Sequence, residues 1–325
     1  MMPTRPVART DLRVSELGFG VWTVASGWWG AYTDEAAVGL MHRAFEGGVT
    51  FFDTADAYGN GRGETLLADA FPGARRDEIV IGAKFGYDWQ SRDPGGTGHR
   101  EAPHRLDVPF LQHALDASLT RLRTDHIDIY QLHNPRMEHL QHDDVWTWVE
   151  RVRREGKILA AGVALGPAIG WEAEGHYAMR HLPIGVVQMI YNALELDPGR
   201  ALIKTAEETE MSLLVRVPHS SGLLEGRYTA ETVFPEGDHR RYRPQECLTE
   251  GVRKVRQLEF LAIENECTIG QAALQYVLRS PRVVSVLPNV YDHDQLSEFL
   301  RAPARRPTST AQAAEVERLF DSNFE

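Results

Sequence analysis

Asp53, Tyr58, Lys84 and His133 are the residues of this 325-residue chain whose types and placement suit proton chemistry at a carbonyl group. Each stands at, or a few residues beyond, the end of an apolar run: 49–52 before Asp53, 78–83 before Lys84, 127–130 before His133. A tyrosine with a pKa of ~10 is a poor acid near neutrality. An ammonium a few ångströms away favours the phenolate and brings that proton toward the working range. Lys84 can supply the ammonium, and Asp53 can keep it charged and oriented. His133 can donate a hydrogen bond to an oxygen on which negative charge develops. Each residue alone says little, since a strand-end histidine is often structural and an aspartate can simply serve backbone amides. The four together are hard to explain by packing.

For them to meet, the elements that carry them must deliver all four to one rim. A repeated pattern does this: a short apolar run, a polar loop, an amphipathic helix, then a glycine stop. Strands are expected at 17–20, 49–52, 78–83, 127–130, 158–163, 184–189, 211–217 and 283–287. Thr33 is placed to cap the first long helix, whose first turn carries Asp34 and Glu35 and which stops at Gly47-Gly48. A helix over 64–71 follows the second strand. Asp107 caps another with Leu111, Leu115, Leu119 and Leu122 on one side, and a further helix spans 145–152. Others are expected near 172–182, 199–209, 251–265 and 268–279. Eight strand–helix units joined by right-handed crossovers predict an α/β fold, a (β/α)8 TIM barrel. An open doubly wound sheet is the competing arrangement, but no GxGxxG fingerprint follows the first strand. Residues 6–15 read as an N-terminal β-hairpin turning at Thr10-Asp11, and 292–300 and 311–321 as extra C-terminal helices. Residues 1–325 are expected to form a single domain. Long loops over 86–107 and 219–250 follow strands three and seven and overhang the C-terminal rim.

Composition narrows the partners. A net charge of −11 argues against nucleic acid or an anionic membrane surface. No apolar run approaches the ~18 residues that span a bilayer, and the opening residues lack a secretory h-region. Cys247 and Cys267 have no metal-ligand or disulfide spacing, and His99, His104, His219 and His239 have none either, so no metal is expected. Two cysteines suit a reducing, cytoplasmic setting. Nothing bears on oligomeric state.

The motifs resemble those of the aldo-keto reductase superfamily in its bacterial form. The matching segments are Gly-Val-Thr-Phe-Phe-Asp-Thr-Ala-Asp-Ala-Tyr-Gly-Asn-Gly (48–61), Ile-Val-Ile-Gly-Ala-Lys (79–84) and Leu-Thr-Arg-Leu-Arg-Thr-Asp-His-Ile-Asp-Ile-Tyr-Gln-Leu-His (119–133). They continue with Gly-Lys-Ile-Leu-Ala-Ala-Gly-Val (156–163), Val-Val-Gln-Met-Ile-Tyr-Asn (186–192) and Ser-Gly-Leu-Leu-Glu-Gly-Arg-Tyr (221–228). The resemblance implies a (β/α)8 barrel with NADPH or NADH lying extended across the rim, and hydride transfer to a small aldehyde or ketone. It makes Tyr58 the proton donor, with Asp53, Lys84 and His133 as its supporting set. It assigns Gln188 to the nicotinamide carboxamide and the rest of the nucleotide to Trp22, Asp53, Arg216, Pro218, Leu223, Gly226, Arg227, Asn289, Tyr291 and Gln295. Substrate contacts fall to Trp22, Tyr58, Trp89 and His133. The superfamily also contains potassium-channel β subunits, so a nucleotide-sensing interaction protein is the alternative reading.

Three departures bear on the nucleotide. Ala164-Leu165 stands where the family usually has Ser-Asn to hold the carboxamide. Arg216 stands where many members place a tyrosine under the nicotinamide ring, and an arginine there can stack or bind phosphate. Leu287-Pro288-Asn289-Val290-Tyr291-Asp292 puts Asp292 near the place of a basic residue for the 2′-phosphate, so no strong NADPH preference is expected and NADH should compete. Around the substrate, Trp22, Trp28, Trp29, Tyr87 and Trp89 offer aromatic surface. Arg105, Arg240, Arg241 and Arg243 are expected on a solvated rim.

Overall fold

In a computed structural model, residues 2–91, 101–166 and 171–325 are described. Two short strands, β1 (Thr4–Pro6) and β2 (Arg13–Ser15), form an antiparallel hairpin. Eight parallel strands follow: β3 (Phe19–Gly20), β4 (Phe51–Asp53), β5 (Val80–Phe85), β6 (Ile127–His133), β7 (Ile158–Ala164), β8 (Val186–Ile190), β9 (Ser212–Arg216) and β10 (Val283–Leu287). Each pairs with its neighbours in chain order. The residues just before β3 close the ring against β10: Gly18 N–H donates to Val286 O and Val286 N–H to Glu16 O, both at 2.8 Å. Gly18 has to be glycine at this seam, because a Cβ there would lie 2.7 Å from Leu287 and 2.8 Å from Phe51.

The barrel interior is filled by Phe51, Ile129, Ala160, Val186, Leu214, Val284 and Leu287, joined by Val7 and Val14 from the hairpin. The hairpin thus plugs the mouth at which the strands begin. Arg5 pins it there by donating to the carbonyls of Leu278, Ser280 and Val283 at 2.7–2.9 Å. A larger apolar layer lies between strands and helices. The capping residues act as their chemistry dictates: Thr33 Oγ1 accepts from Ala36 N–H and Asp107 Oδ1 from Phe110 N–H.

Element identities follow the sequence pattern, and the boundaries shift for local reasons. The hairpin's strands lie further apart than expected, with Val7 N–H bonded to Leu12 O across a wider turn. Val49 donates to the carbonyl of Ala44 at the helix end, so β4 starts only at Phe51. A short helix, Trp22–Ala25, occupies part of the loop after β3. The overhang after β9 ends earlier than 250: it contains 3-10 turns at Leu223–Glu225 and His239–Tyr242, and a helix begins at Gln245. The helix expected over 251–265 is two, Gln245–Gln257 and Glu259–Glu264.

Candidate active site

The strand ends converge as the pattern requires. Asp53 closes β4, Lys84 lies one residue from the end of β5, and His133 closes β6; all three are buried. Lys84 Nζ donates to Asp53 Oδ1 at 2.5 Å and to Thr54 O at 2.8 Å. The same ammonium lies 4.8 Å from the centre of the Tyr58 ring. Burial works against the lysine's charge, but Asp53 and the Tyr58 oxygen outweigh it and hold the group above its ordinary pKa. Tyr58 is half-buried, the one member of the set reaching the open mouth. Its loop is tight: Gly59 has φ +58°, and a Cβ there would meet Ala25 O at 2.4 Å, while a Cβ on Gly63 would meet Thr54 Oγ1 at 2.6 Å.

His133 stands edge-on to Tyr58, ring centres 5.9 Å apart. Burial, together with the nearby Lys84 and Arg216 cations, holds its imidazole far below the ordinary histidine range. It is therefore neutral, and its Nδ1 is buried without a partner among the described residues. Tyr87 packs 4.8 Å from the same ring and accepts from Asn134 Nδ2, which also donates to Glu101. Asn134 and Glu101 had not been singled out. Asn134's position directly after His133 was the available signal.

Gln188 lies on β8 and crosses the barrel: its Nε2 donates to Asp53 Oδ2 at 2.9 Å, and Gln131 reaches the same oxygen at 3.4 Å. Gln188 Oε1 is buried, an acceptor facing no donor among the described residues. That orphan fits a ligand amide N–H, which a nicotinamide carboxamide supplies. Ala164 ends β7 and Leu165 N–H donates to Gln188 O, so apolar side chains stand where the resemblance expects Ser-Asn. Arg216 ends β9 and sends Nη2 to Leu165 O at 2.7 Å. Burial lowers its affinity for the proton without removing the charge.

The segment proposed for the far end of a nucleotide is also assembled. Gly222 and Gly226 take positive φ on either side of the turn at Leu223–Glu225, next to buried Pro218. Asp292 caps the helix His293–Phe299, accepting from Gln295 N–H at 2.6 Å, and Gln295 Oε1 accepts from Tyr291 N–H. Asn289 Oδ1 accepts from Thr23 Oγ1. Arg227 was named from sequence, but its surroundings were not: it pairs with Asp292 at 3.4 Å and with Glu298 at 3.5 Å. Glu225 was missed. It lies buried between the two glycines, accepts a hydrogen bond from the Tyr291 hydroxyl, and is pushed up to about 7 by burial. A charged residue inside an apolar, glycine-bounded turn was the readable sign.

Trp22 is half-buried, 5.4 Å from Trp28 and 6.0 Å from Trp29 between ring centres. Trp29 stacks on Tyr291 at 5.5 Å and carries the Arg240 guanidinium at 4.2 Å, while Arg240 pairs with Asp238. Arg240 is thus tied into an aromatic clasp that joins the loops after β3 and β9, and Arg105 is paired with Asp107. Trp89 is half-buried in a 3-10 turn, with its indole beside the buried carboxyl of Asp56. His104, His219 and His239 bond to the carbonyls of His133, Gly270 and Trp28; His99 lies outside the described residues. Among the described residues, no cluster of three or more His, Cys, Asp or Glu could hold a metal ion, and no helix is long and apolar enough to cross a membrane.

The description of the aldo/keto reductase family matches residues 16–321. The chain is 28% identical to the oxidoreductase YqkF of Bacillus subtilis over 310 residues, covering 94% of this chain and 93% of that one. It is 29% identical to aldo-keto reductase yakc [NADP(+)] of Schizosaccharomyces pombe, over 99% and 92% of the two, and 25% identical to the NADH-specific methylglyoxal reductase of Escherichia coli, over 91% and 92%. The holo form of aldo-keto reductase AKR11C1 from Bacillus halodurans superposes with a TM-score of 0.79 at 24% identity, covering all of both chains. Convergent strand ends and a family match across nearly the whole barrel lead to one conclusion: the chain belongs to the aldo/keto reductase family.

Proposed function

We propose that the protein reduces a small aldehyde or ketone at the C-terminal mouth of its barrel, with NADH or NADPH bound across the rim and Tyr58 as proton donor. The observation that carries this reading is the buried Lys84, seated between the Asp53 carboxylate and the face of Tyr58. When bound, the nucleotide supplies the hydride. Tyr58 gives its proton to the oxygen that becomes an alkoxide, and Lys84 steadies the phenolate left behind. Asp53 holds Lys84 through one oxygen and Gln188 through the other, so proton donor and carboxamide acceptor share one anchor. Neutral His133 orients the carbonyl by a hydrogen bond and leaves the positive charge on Lys84. The half-buried aromatic surface of Trp22 and the rim near Trp89 bound the substrate. The reverse reaction, alcohol oxidation, uses the same groups with Tyr58 as base.

For the adenosine half, the reading remains that NADPH has no strong advantage. A 2′-phosphate near Arg227 meets a guanidinium already shared by two carboxylates, with Glu225 close behind. Residues 1–325 act as one catalytic unit in this reading, in the cytoplasm, without nucleic acid or membrane as partner.

Titration of the protein with NADH and NADPH, followed by nucleotide fluorescence, tests it. Saturable binding of both within about tenfold of each other is expected, and Gln188→Leu weakens both. NADPH binding far more tightly than NADH would remove the argument from Arg227 and Asp292. Absence of binding by either would remove the redox reading altogether. Binding without turnover of any reactive aldehyde would favour the sensor alternative.

A further inference from the structure

Arg216 is a charge at the barrel mouth without a counter-charge of its own. Among the described residues no carboxylate lies within ion-pair distance of it; Asp53 and Glu101 are the carboxylates whose charge reaches it from further off. Asp53 is already committed to Lys84, Gln188 and Gln131. The guanidinium's hydrogen bond goes to a neutral carbonyl, Leu165 O, and its Nε is sealed from solvent without a partner among the described residues. A half-buried guanidinium so placed gives up part of its hydration and gains no ion pair in return, a cost that a bound ligand can offset.

Its position is fixed by the backbone. Arg216 pairs with Ile190 in the β8–β9 ladder, two residues beyond Leu214, which faces the inner core. The alternation of a strand therefore turns Arg216 inward, one layer nearer the mouth. Immediately after it, Val217 has φ +57°, a conformation that a β-branched residue adopts only under constraint, and Asn192 Nδ2 holds its carbonyl at 3.0 Å. Reaching Leu165 at the end of β7, the side chain spans the sector of Gln188, whose Oε1 is the orphan acceptor.

The two redox forms of a nicotinamide nucleotide share every atom of the adenosine half and differ in one hydride, which leaves the oxidised ring with a positive charge. We propose that Arg216 makes the nicotinamide end of the cleft select between them, holding the neutral reduced ring and disfavouring the cationic oxidised one, and so sets this protein to work as a reductase. The inference rests on the nucleotide reading above. Lys84 is ion-paired with Asp53, whereas Arg216 has no ion pair among the described residues and is the cation free to act on the ring. Selection of this kind also speeds the departure of oxidised nucleotide after turnover and makes the reverse oxidation weak.

The test is a pair of equilibrium titrations, NADH and NAD+, on wild type, Arg216→Gln and Arg216→Lys, without substrate. Both ligands carry the same adenosine, so contacts at Glu225 and Arg227 cancel in the ratio of dissociation constants. Wild type should bind NADH at least tenfold more tightly than NAD+. Arg216→Gln should reduce that ratio about tenfold, and Arg216→Lys should keep most of it. A structural role for Arg216 would weaken both forms alike and leave the ratio unmoved, which overturns the proposal. A wild-type ratio near one overturns it without any variant, so poor folding of Arg216→Gln leaves it open to refutation. If neither nucleotide binds, the parent reading falls; if both bind with an Arg216-independent ratio, only this inference does.

Discussion

Burying Lys84 costs it its hydration, and Asp53 Oδ1 and Thr54 O at 2.5 and 2.8 Å offset that loss. Removing the lysine leaves Asp53 charged and unpaired in the barrel. Lys84→Met should therefore destabilise the fold by about 3–5 kcal/mol and abolish turnover. Adding Asp53→Asn should recover part of the stability, measured by urea unfolding, and none of the activity. If the double variant is no more stable than Lys84→Met, the pair is not the coupled unit described. His219 gives a second residue-scale prediction. It is buried, its Nε2 faces Gly270 O, and burial lowers its pKa to about 4. A histidine with a depressed folded pKa leaves stability intact above its unfolded value and lowers it as pH falls through 6.5 toward 4. Between pH 7 and 4 the wild type should lose about 3 kcal/mol more than His219→Gln in matched urea melts. Equal losses would contradict that burial argument. The proposed catalytic set was legible because each member stands at, or a few residues beyond, the end of a readable apolar run. The Glu225–Tyr291 bond was not, since 66 residues separate partners that only the loop geometry brings together.

At the scale of elements, the loop from β4 to the next helix sets where Tyr58 stands. Gly59 works there in a left-handed conformation with Ala25 O against it, so Gly59→Ala adds backbone strain and a clash at once. The variant should fold with a loss of about 1–3 kcal/mol, yet lose most of its turnover while still binding nucleotide. Full activity in Gly59→Ala would show that the loop tolerates displacement and that Tyr58 is placed by something else. Strands and helices were readable from the alternation of apolar runs with capped amphipathic stretches, as Thr33 and Asp107 illustrate. Their ends were less so, because they depend on hydrogen bonds such as Val49 to Ala44 O that no local pattern announces. Asp292 needed the structure in the same way: the sequence places a carboxylate near the segment proposed to hold adenosine, and only the fold brings Arg227 to within 3.4 Å of it.

In the proposed reading the molecule separates stability from chemistry at opposite mouths of one barrel, as parallel α/β barrels do. The hairpin seals the end where the strands begin, and Arg5 binds three carbonyls around the end of the preceding helix and the start of β10. Arg5→Ala should cost about 2–4 kcal/mol by leaving those acceptors unpaired, while the dissociation constant for NADH stays unchanged. A shift in nucleotide affinity would mean that the two mouths communicate. The central claim concerns the other mouth, that Tyr58 delivers a proton as hydride reaches a carbonyl carbon. Its most direct test is a single-turnover experiment in which protein saturated with NADH or NADPH is mixed with a reactive aldehyde and the nucleotide absorbance is followed. Wild type should oxidise the bound nucleotide, and Tyr58→Phe, binding it equally well, should be slower by a hundredfold or more. Equal rates for the two proteins would contradict the account.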